Sequence, residues 1–202
     1  MTFAELRRAA VTRHRQLLAC VGLLALLAHG AALAGDYVFD DLHSIAGNTA
    51  LHDLGEWWRW LSDPTAFSAG AGHMYRPVLL TSFALNLAIS PDAWALKAGN
   101  VAIHMSVAML AFGWLRRLSV PRFAAFAGMA LFAVHPLLGE AINLTSARSE
   151  LLLVLGLLLG LRSHFVLLRG TRPLLASAGM LLGAVIACGS KETGVVLPGL
   201  LL

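Results

Sequence analysis

Residues 151–168 carry a single charge, Arg162, and from Leu151 to Leu161 there is none. A helix needs about 20 mostly apolar residues to cross a bilayer. A soluble helix of that length keeps a polar face, and this run has none. The pattern recurs. Spans are expected at about 17–34, 94–115, 122–138, 150–168 and 173–189. A last apolar run opens near residue 194 and is still apolar at Leu202, as in a span that continues further. The whole chain is 58% hydrophobic and 13% charged, where soluble domains hold about 45–50% and about 25%. The expected class is an all-α membrane protein, a polytopic helical bundle.

Charge placement gives the topology. Arg7, Arg8, Arg13 and Arg15 precede the first run. Arg116, Arg117 and Arg122 lie between the 94–115 and 122–138 runs, and Arg162, Arg169 and Arg172 fall at the next turn on that side. Every acid from Asp36 to Glu192 then falls on the other face, leaving only Glu5 with the basic clusters. This segregation holds only if the apolar stretch 77–89, too short to span, does not cross. It is expected to lie in the interface or to dip and return. Residues 1–16 form a basic cytoplasmic terminus, and residues 35–93 a long outer loop. A rival reading takes the first run as a secretory signal peptide, with Ala32-Leu33-Ala34 as its cleavage site. The sequence pI of 9.7 does not imply nucleic acid, because the arginines flank apolar runs and suit a membrane surface. Cys20 and Cys188 sit in apolar runs with no metal-ligand spacing around them.

The chemistry-bearing residues gather in the outer loops. Asp40 and Asp41 stand at the membrane edge, where carboxylates serve as general bases or metal ligands. The plainer alternative is that Asp41 caps a short helix. Asp53 to Leu61 reads as a short interfacial helix capped by Asp53, with Trp57, Trp58 and Trp60 at headgroup level. Arg76 either binds phosphate or reaches for lipid headgroups. Asn100 and His104, four residues apart, suit hydrogen bonding between helices better than a metal. Glu140 and Arg148 either pair with each other or face a ligand. Lys191 either binds phosphate or partners Glu192. Acid and base together at one membrane face fit a site for an anionic lipid and a polar acceptor. A transporter would place such groups near the midplane.

Five motifs in order carry a resemblance. They are Tyr37-Val38-Phe39-Asp40-Asp41 with Ile45 and Asn48; Tyr75-Arg76-Pro77-Val78-Leu79 with Ser82-Phe83-Ala84-Leu85-Asn86; Asn100 with Ile103-His104; Phe132-Ala133-Val134-His135-Pro136 with Glu140-Ala141 and Arg148-Ser149-Glu150-Leu151-Leu152; and Ser190-Lys191-Glu192-Thr193-Gly194 with Leu197-Pro198. In this order the chain resembles the membrane half of the transmembrane and tetratricopeptide-repeat O-mannosyltransferases and their bacterial relatives, within the C-type glycosyltransferase fold. No repeat of tetratricopeptide length occurs in these residues.

The resemblance implies a glycosyltransferase that moves a sugar, mannose or another hexose, from a polyprenyl phosphate to a hydroxyl on protein or glycan. It implies Asp41, with Asp40 beside it, as the catalytic pair. Glu140, Arg148, Arg76, Lys191 and His104 follow as substrate-binding residues. The cofactor is the lipid-linked donor itself, and divalent-metal use varies within the fold. The composition, rich in Ala, Gly, Leu and Arg, suits a GC-rich bacterium, with the chain in the cytoplasmic membrane and its acidic loops periplasmic; in a eukaryote they would face the ER lumen. The competing readings are a transporter subunit and a non-catalytic scaffold or inactive piece.

Overall fold

A computed structural model describes residues 16–17, 19–69 and 74–202. The basic cluster from Arg7 to Arg15 lies outside the described residues, as do residues 70–73 of the long loop. Among the described residues every regular element is helical. The helices are α1, Ala19–Ala34; α2, Trp57–Ser62; α3, Pro77–Ile89; α4, Ala93–Arg117; α5, Arg122–Val134; α6, Gly139–Asn143; α7, Arg148–Leu168; α8, Pro173–Ser190; and α9, Leu197–Leu200. Three of them, α4, α7 and α8, are long and apolar enough to cross a membrane. The bent pair α5 and α6 supplies a fourth crossing if it counts as one broken span. The chain is an all-α integral membrane protein.

The bundle has an acidic end and a basic end. The helix α4 leaves the acidic end at Ala93 and finishes at Arg116-Arg117; α5 returns from Arg122. The helix α7 repeats the outward path, and a tight turn with Gly170 at φ 65° and Arg172 at φ 51° sends α8 back. Pro173 at the first position of α8 suits a helix start, since its missing N–H would have no helical partner there.

The α7–α8 hairpin is held by absent side chains. A Cβ on Gly156 would come 2.6 Å from the Ala187 amide nitrogen and the Gly183 carbonyl oxygen. A Cβ on Gly183 would stand 2.6 Å from the Gly160 nitrogen. The two backbones therefore touch. Lipid is as apolar as a leucine side chain, so close van der Waals contact through small residues takes over the role of the hydrophobic effect.

The bend between α5 and α6, 49°, has a definite cause. Pro136 has no N–H to offer the helix, and His135 before it is extended at ψ 124°. The His135 Nδ1 then accepts from the Leu137 amide at 3.2 Å, so the Ala133 carbonyl loses its donor four residues on. Two histidines replace it. The Nε2 atoms of His29, from α1, and His104, from α4, lie 3.1 and 3.2 Å from that oxygen and donate to it. His104 is fully buried and stacks on Phe132, ring centres 5.1 Å apart. It is a tie between helices.

At about 1.5 Å per residue, the thirteen residues of α3 cover only about two-thirds of a hydrocarbon layer about 30 Å thick. One face of the helix packs against the protein, while Leu85 and Ile89 stay exposed. Leu79, Leu80, Phe83 and Leu87 are buried with Ile45, Leu51 and Trp60 of the long loop, Leu96 of α4 and Leu152 of α7. Trp57 and Trp58 are exposed, as an interfacial helix would have them, but Trp60 turns inward and donates its indole N–H to the Ala50 carbonyl at 2.9 Å. Asp53 caps the helical turn Leu54–Glu56 through the Gly55 amide. Asn48 accepts from the Ala50 amide and donates to the carbonyls of Ser44 and Ala66, so one buried amide folds the loop onto itself. The apolar run after Lys191 begins as a helical turn, Glu192–Val196, followed by α9.

Candidate functional site

The two adjacent acids part company. Asp41 is fully buried, and its carboxylate accepts from the backbone amides of Thr145 at 3.1 Å and Ser146 at 2.7 Å. It does not cap its own turn, Leu42–Ala46, with its side chain. It caps a turn more than 100 residues away, Thr145–Ala147, that leads into α7. Both oxygens are thus engaged inside the protein. Asp40 is the reverse, with its side chain 71% exposed. The chain enters this stretch through Phe39 at φ 48°, a left-handed conformation that costs a non-glycine residue about 1–2 kcal/mol. Strain of that kind clusters at functional sites.

Asp40 faces an open cleft of about 570 Å³ at the acidic end of the bundle. Arg76 and Lys191 line the same cleft. Arg76, just before α3, sends its Nε and Nη2 to the two oxygens of Glu192 at 3.0 and 2.9 Å. Lys191, just past α8, pairs with Glu150 in the first turn of α7. The dipeptide Lys191-Glu192 therefore clasps α7 with one residue and the start of α3 with the other. The Arg76 hydrogen bonds hold the Glu192 carboxyl below the usual carboxylate range, with burial opposing them.

Sequence reasoning passed over one member of the cleft, His43. Its Nε2 lies 3.4 Å from the Asp40 carboxylate, and its Nδ1 is 2.8 Å from the Ser68 hydroxyl. A histidine three residues after an acid, within a helical turn, was the available signal. Among the described residues no three His, Cys, Asp or Glu side chains stand close enough to share a metal ion.

Arg148 does not face this cleft and does not pair with Glu140. It is 1% exposed. Its Nε donates to Asn100 Oδ1 at 2.6 Å, its Nη1 to the Ser82 carbonyl at 3.0 Å, and its Nη2 to Asn86 Oδ1 at 3.0 Å and the Leu96 carbonyl at 2.7 Å. The guanidinium also lies over the Phe83 ring, 4.9 Å from its centre. One cation thus joins α3, α4 and α7, with its donors spent on protein and none turned to a ligand. Gly99 makes room for it: a Cβ there would strike Asn86 and stand 2.9 Å from the guanidinium. Glu140 is exposed on α6, outside the cleft lining, and His104 is enclosed between helices. Arg148→Met is expected to destabilise the protein by about 3 kcal/mol or more, because several buried acceptors lose their donor together. Thermal unfolding of the purified variant in detergent checks this.

The spans and this cleft, lined by Arg76, Lys191, Asp40 and Glu150, define a helical membrane protein with a polar site at one end. Its sequence resembles the TMTC-type protein O-mannosyltransferases. It is 28% identical to human protein O-mannosyl-transferase TMTC4 over 206 aligned residues, 89% of this chain and 28% of that protein. It is 30% identical to mouse TMTC1 over 175 residues, 78% of this chain and 18% of that protein. It is 30% identical to protein O-mannosyl-transferase F38B6.6 of Caenorhabditis elegans over 155 residues, 70% of this chain and 22% of that protein. The chain thus spans between about a fifth and just over a quarter of the length of these relatives. No family model and no solved structure matches it.

Proposed function

We propose that this chain carries the catalytic cleft of a membrane glycosyltransferase, which moves a hexose, mannose by the names of its relatives, from a polyprenyl phosphate to a hydroxyl of a protein at the outer membrane face. The observation that carries the reading is the convergence of Asp40, Arg76 and Lys191 on one open cleft at the acidic end. Asp40, rather than its buried neighbour, is the base. Its carboxylate takes the proton of the acceptor hydroxyl while that oxygen attacks the anomeric carbon. The new C–O bond forms as the bond from that carbon to the phosphate oxygen breaks, and the configuration inverts. Arg76 and Lys191 neutralise the departing phosphate. The C-type fold and the periplasmic setting of the acidic end belong to the same proposal. In membranes holding this protein, a labelled polyprenyl-phosphate hexose is expected to pass label to protein. Membranes that transfer nothing from any such donor would sink the reading.

Glu192 and Glu150 already hold the two cations, so the donor phosphate must displace them. An exposed ion pair is worth about 0.2–1 kcal/mol. Glu192→Gln is therefore expected to lower the donor KM by up to about fivefold, against the usual cost of removing a charged residue from a site. The same variant tests the pH behaviour. A carboxyl depressed in the folded state adds stability that is fully present above its unfolded value, 4.5, and is lost as pH falls through the folded value. The stability difference between wild type and Glu192→Gln should stay flat from neutral pH down to about 4.5, shrink below that, and vanish once the pH has fallen past the folded value, as read by thermal unfolding across pH.

A further inference from the structure

The basic end of the bundle holds a second feature, far from the cleft. Between α5 and α7, with α4 as its floor, runs a crevice of about 250 Å³ lined almost wholly by apolar side chains. Trp114 and Leu115 of α4, Gly128 and Phe132 of α5 and Leu158 of α7 form its walls. Each of the three helices carries an arginine toward the basic end from it. Arg117 follows Trp114 by three residues and Arg162 follows Leu158 by four, so each stands one helical turn toward the basic end from a lining residue. Arg122 opens α5 at the same end. Arg162 is folded over α4: a Cβ on Gly113 would lie 3.9 Å from its Nη1. Arg169 stacks over Phe165 at 4.3 Å, and Phe165 meets Trp114 edge-on at 5.6 Å.

Among the described residues no carboxylate pairs with Arg117, Arg122 or Arg162. The ion pairs found among the described residues engage Asp40, Glu56, Asp63, Glu150 and Glu192, all of the acidic end. Arg116 is turned to the Val120 carbonyl. Arg117, Arg122 and Arg162 take part in none of those pairs. Guanidinium groups clustered without carboxylates attract a phosphate strongly, because they bind it through several charge-assisted hydrogen bonds. An apolar channel one turn deeper is matched to a hydrocarbon tail. We propose that this crevice binds one anionic phospholipid, with an acyl chain between α5 and α7 and the headgroup phosphate held by Arg117, Arg122 and Arg162. The site is separate from the sugar-transfer cleft and does not depend on that reading.

The test is lipid retention. The protein is purified in detergent with dioleoylphosphatidylglycerol or dioleoylphosphatidylcholine at equal mole fraction, and bound lipids are counted by native mass spectrometry. One phosphatidylglycerol per chain should be kept, with about tenfold preference or more over phosphatidylcholine. The double variant Arg117→Gln/Arg162→Gln should lose that preference. The control Arg59→Gln, at the other end, should keep it. Gly128→Leu leaves every charge in place and fills the crevice, so it should expel the lipid. Equal retention of the two lipids, or phosphatidylglycerol retention that survives the double variant, overturns the proposal. Retention unchanged in Gly128→Leu removes the acyl-chain half of it. Displacement of the lipid by millimolar inorganic phosphate alone would mean a site for free phosphate and would equally overturn a lipid site.

Discussion

Asp40→Asn is expected to abolish sugar transfer while leaving the protein folded, and Asp41→Asn is expected to do the opposite first. The asparagine amide at position 40 keeps the size of the side chain and cannot take the acceptor's proton. General-base catalysis is worth about 10²–10⁴ in rate, so transfer should fall by that factor. Little else depends on Asp40: it is largely exposed, and its carboxylate meets His43 at 3.4 Å. Thermal stability should change by less than about 0.5 kcal/mol, the usual range at the surface. At position 41 the order reverses. The buried carboxylate holds two backbone amides that start α7. Asparagine offers one acceptor oxygen and turns an N–H₂ group toward the other amide. A loss of about 1–3 kcal/mol follows from a donor left unpaired. Initial rates and unfolding temperatures, measured on both variants in the same preparation, separate the two roles. If Asp40→Asn keeps full activity at unchanged stability, the base is not Asp40 and the cleft has another use.

Gly156→Leu is expected to disrupt the α7–α8 hairpin and destabilise the protein strongly. A Cβ at this position meets backbone, the Ala187 nitrogen and the Gly183 oxygen, each at 2.6 Å. Backbone cannot move aside as the end of a flexible side chain can. Either the hairpin separates or the helix distorts, and overpacking of tight contacts costs about 1–3 kcal/mol and sometimes more. Even Gly156→Ala should lower the unfolding temperature clearly. Gly30→Ala is the control, since a Cβ there meets nothing within 4 Å. The consequence reaches the cleft. The hairpin presents Glu150 at the start of α7 and Lys191 just past α8, and their ion pair joins the two helices at the acidic end. Prising α7 from α8 should therefore break that pair and lower transfer together with stability. A Gly156→Leu protein that unfolds at the wild-type temperature would show that the two backbones are not in contact.

Several features were open to reading from the residues alone because they are local. Uninterrupted apolarity marks the membrane helices, since hydrocarbon tolerates no unpaired polar group. Proline in His135-Pro136 ends α5 because a missing N–H acts at its own position. Asp53 caps the turn that follows it, two residues away. The acid pair, Arg76 and Lys191 were also visible as chemistry-bearing residues at one face.

What the tertiary structure alone decided is which of these groups are still available to a ligand. Asp40 and Asp41 are the same residue type in adjacent positions, and only the distant turn at Thr145 makes one structural and leaves the other exposed. The resemblance makes Arg148 a ligand-binding arginine, yet Ser82 and Asn86 of α3 and Leu96 and Asn100 of α4 consume its donors. Lys191 sits beside Glu192 in sequence and pairs instead with Glu150, while Glu192 reaches Arg76. The glycines of α7 and α8 stand four residues apart in plain view, but a stripe of small residues names no partner until two helices meet. In each case the deciding contact is separated along the chain by tens of residues, and no local pattern of apolarity, charge or capping encodes it.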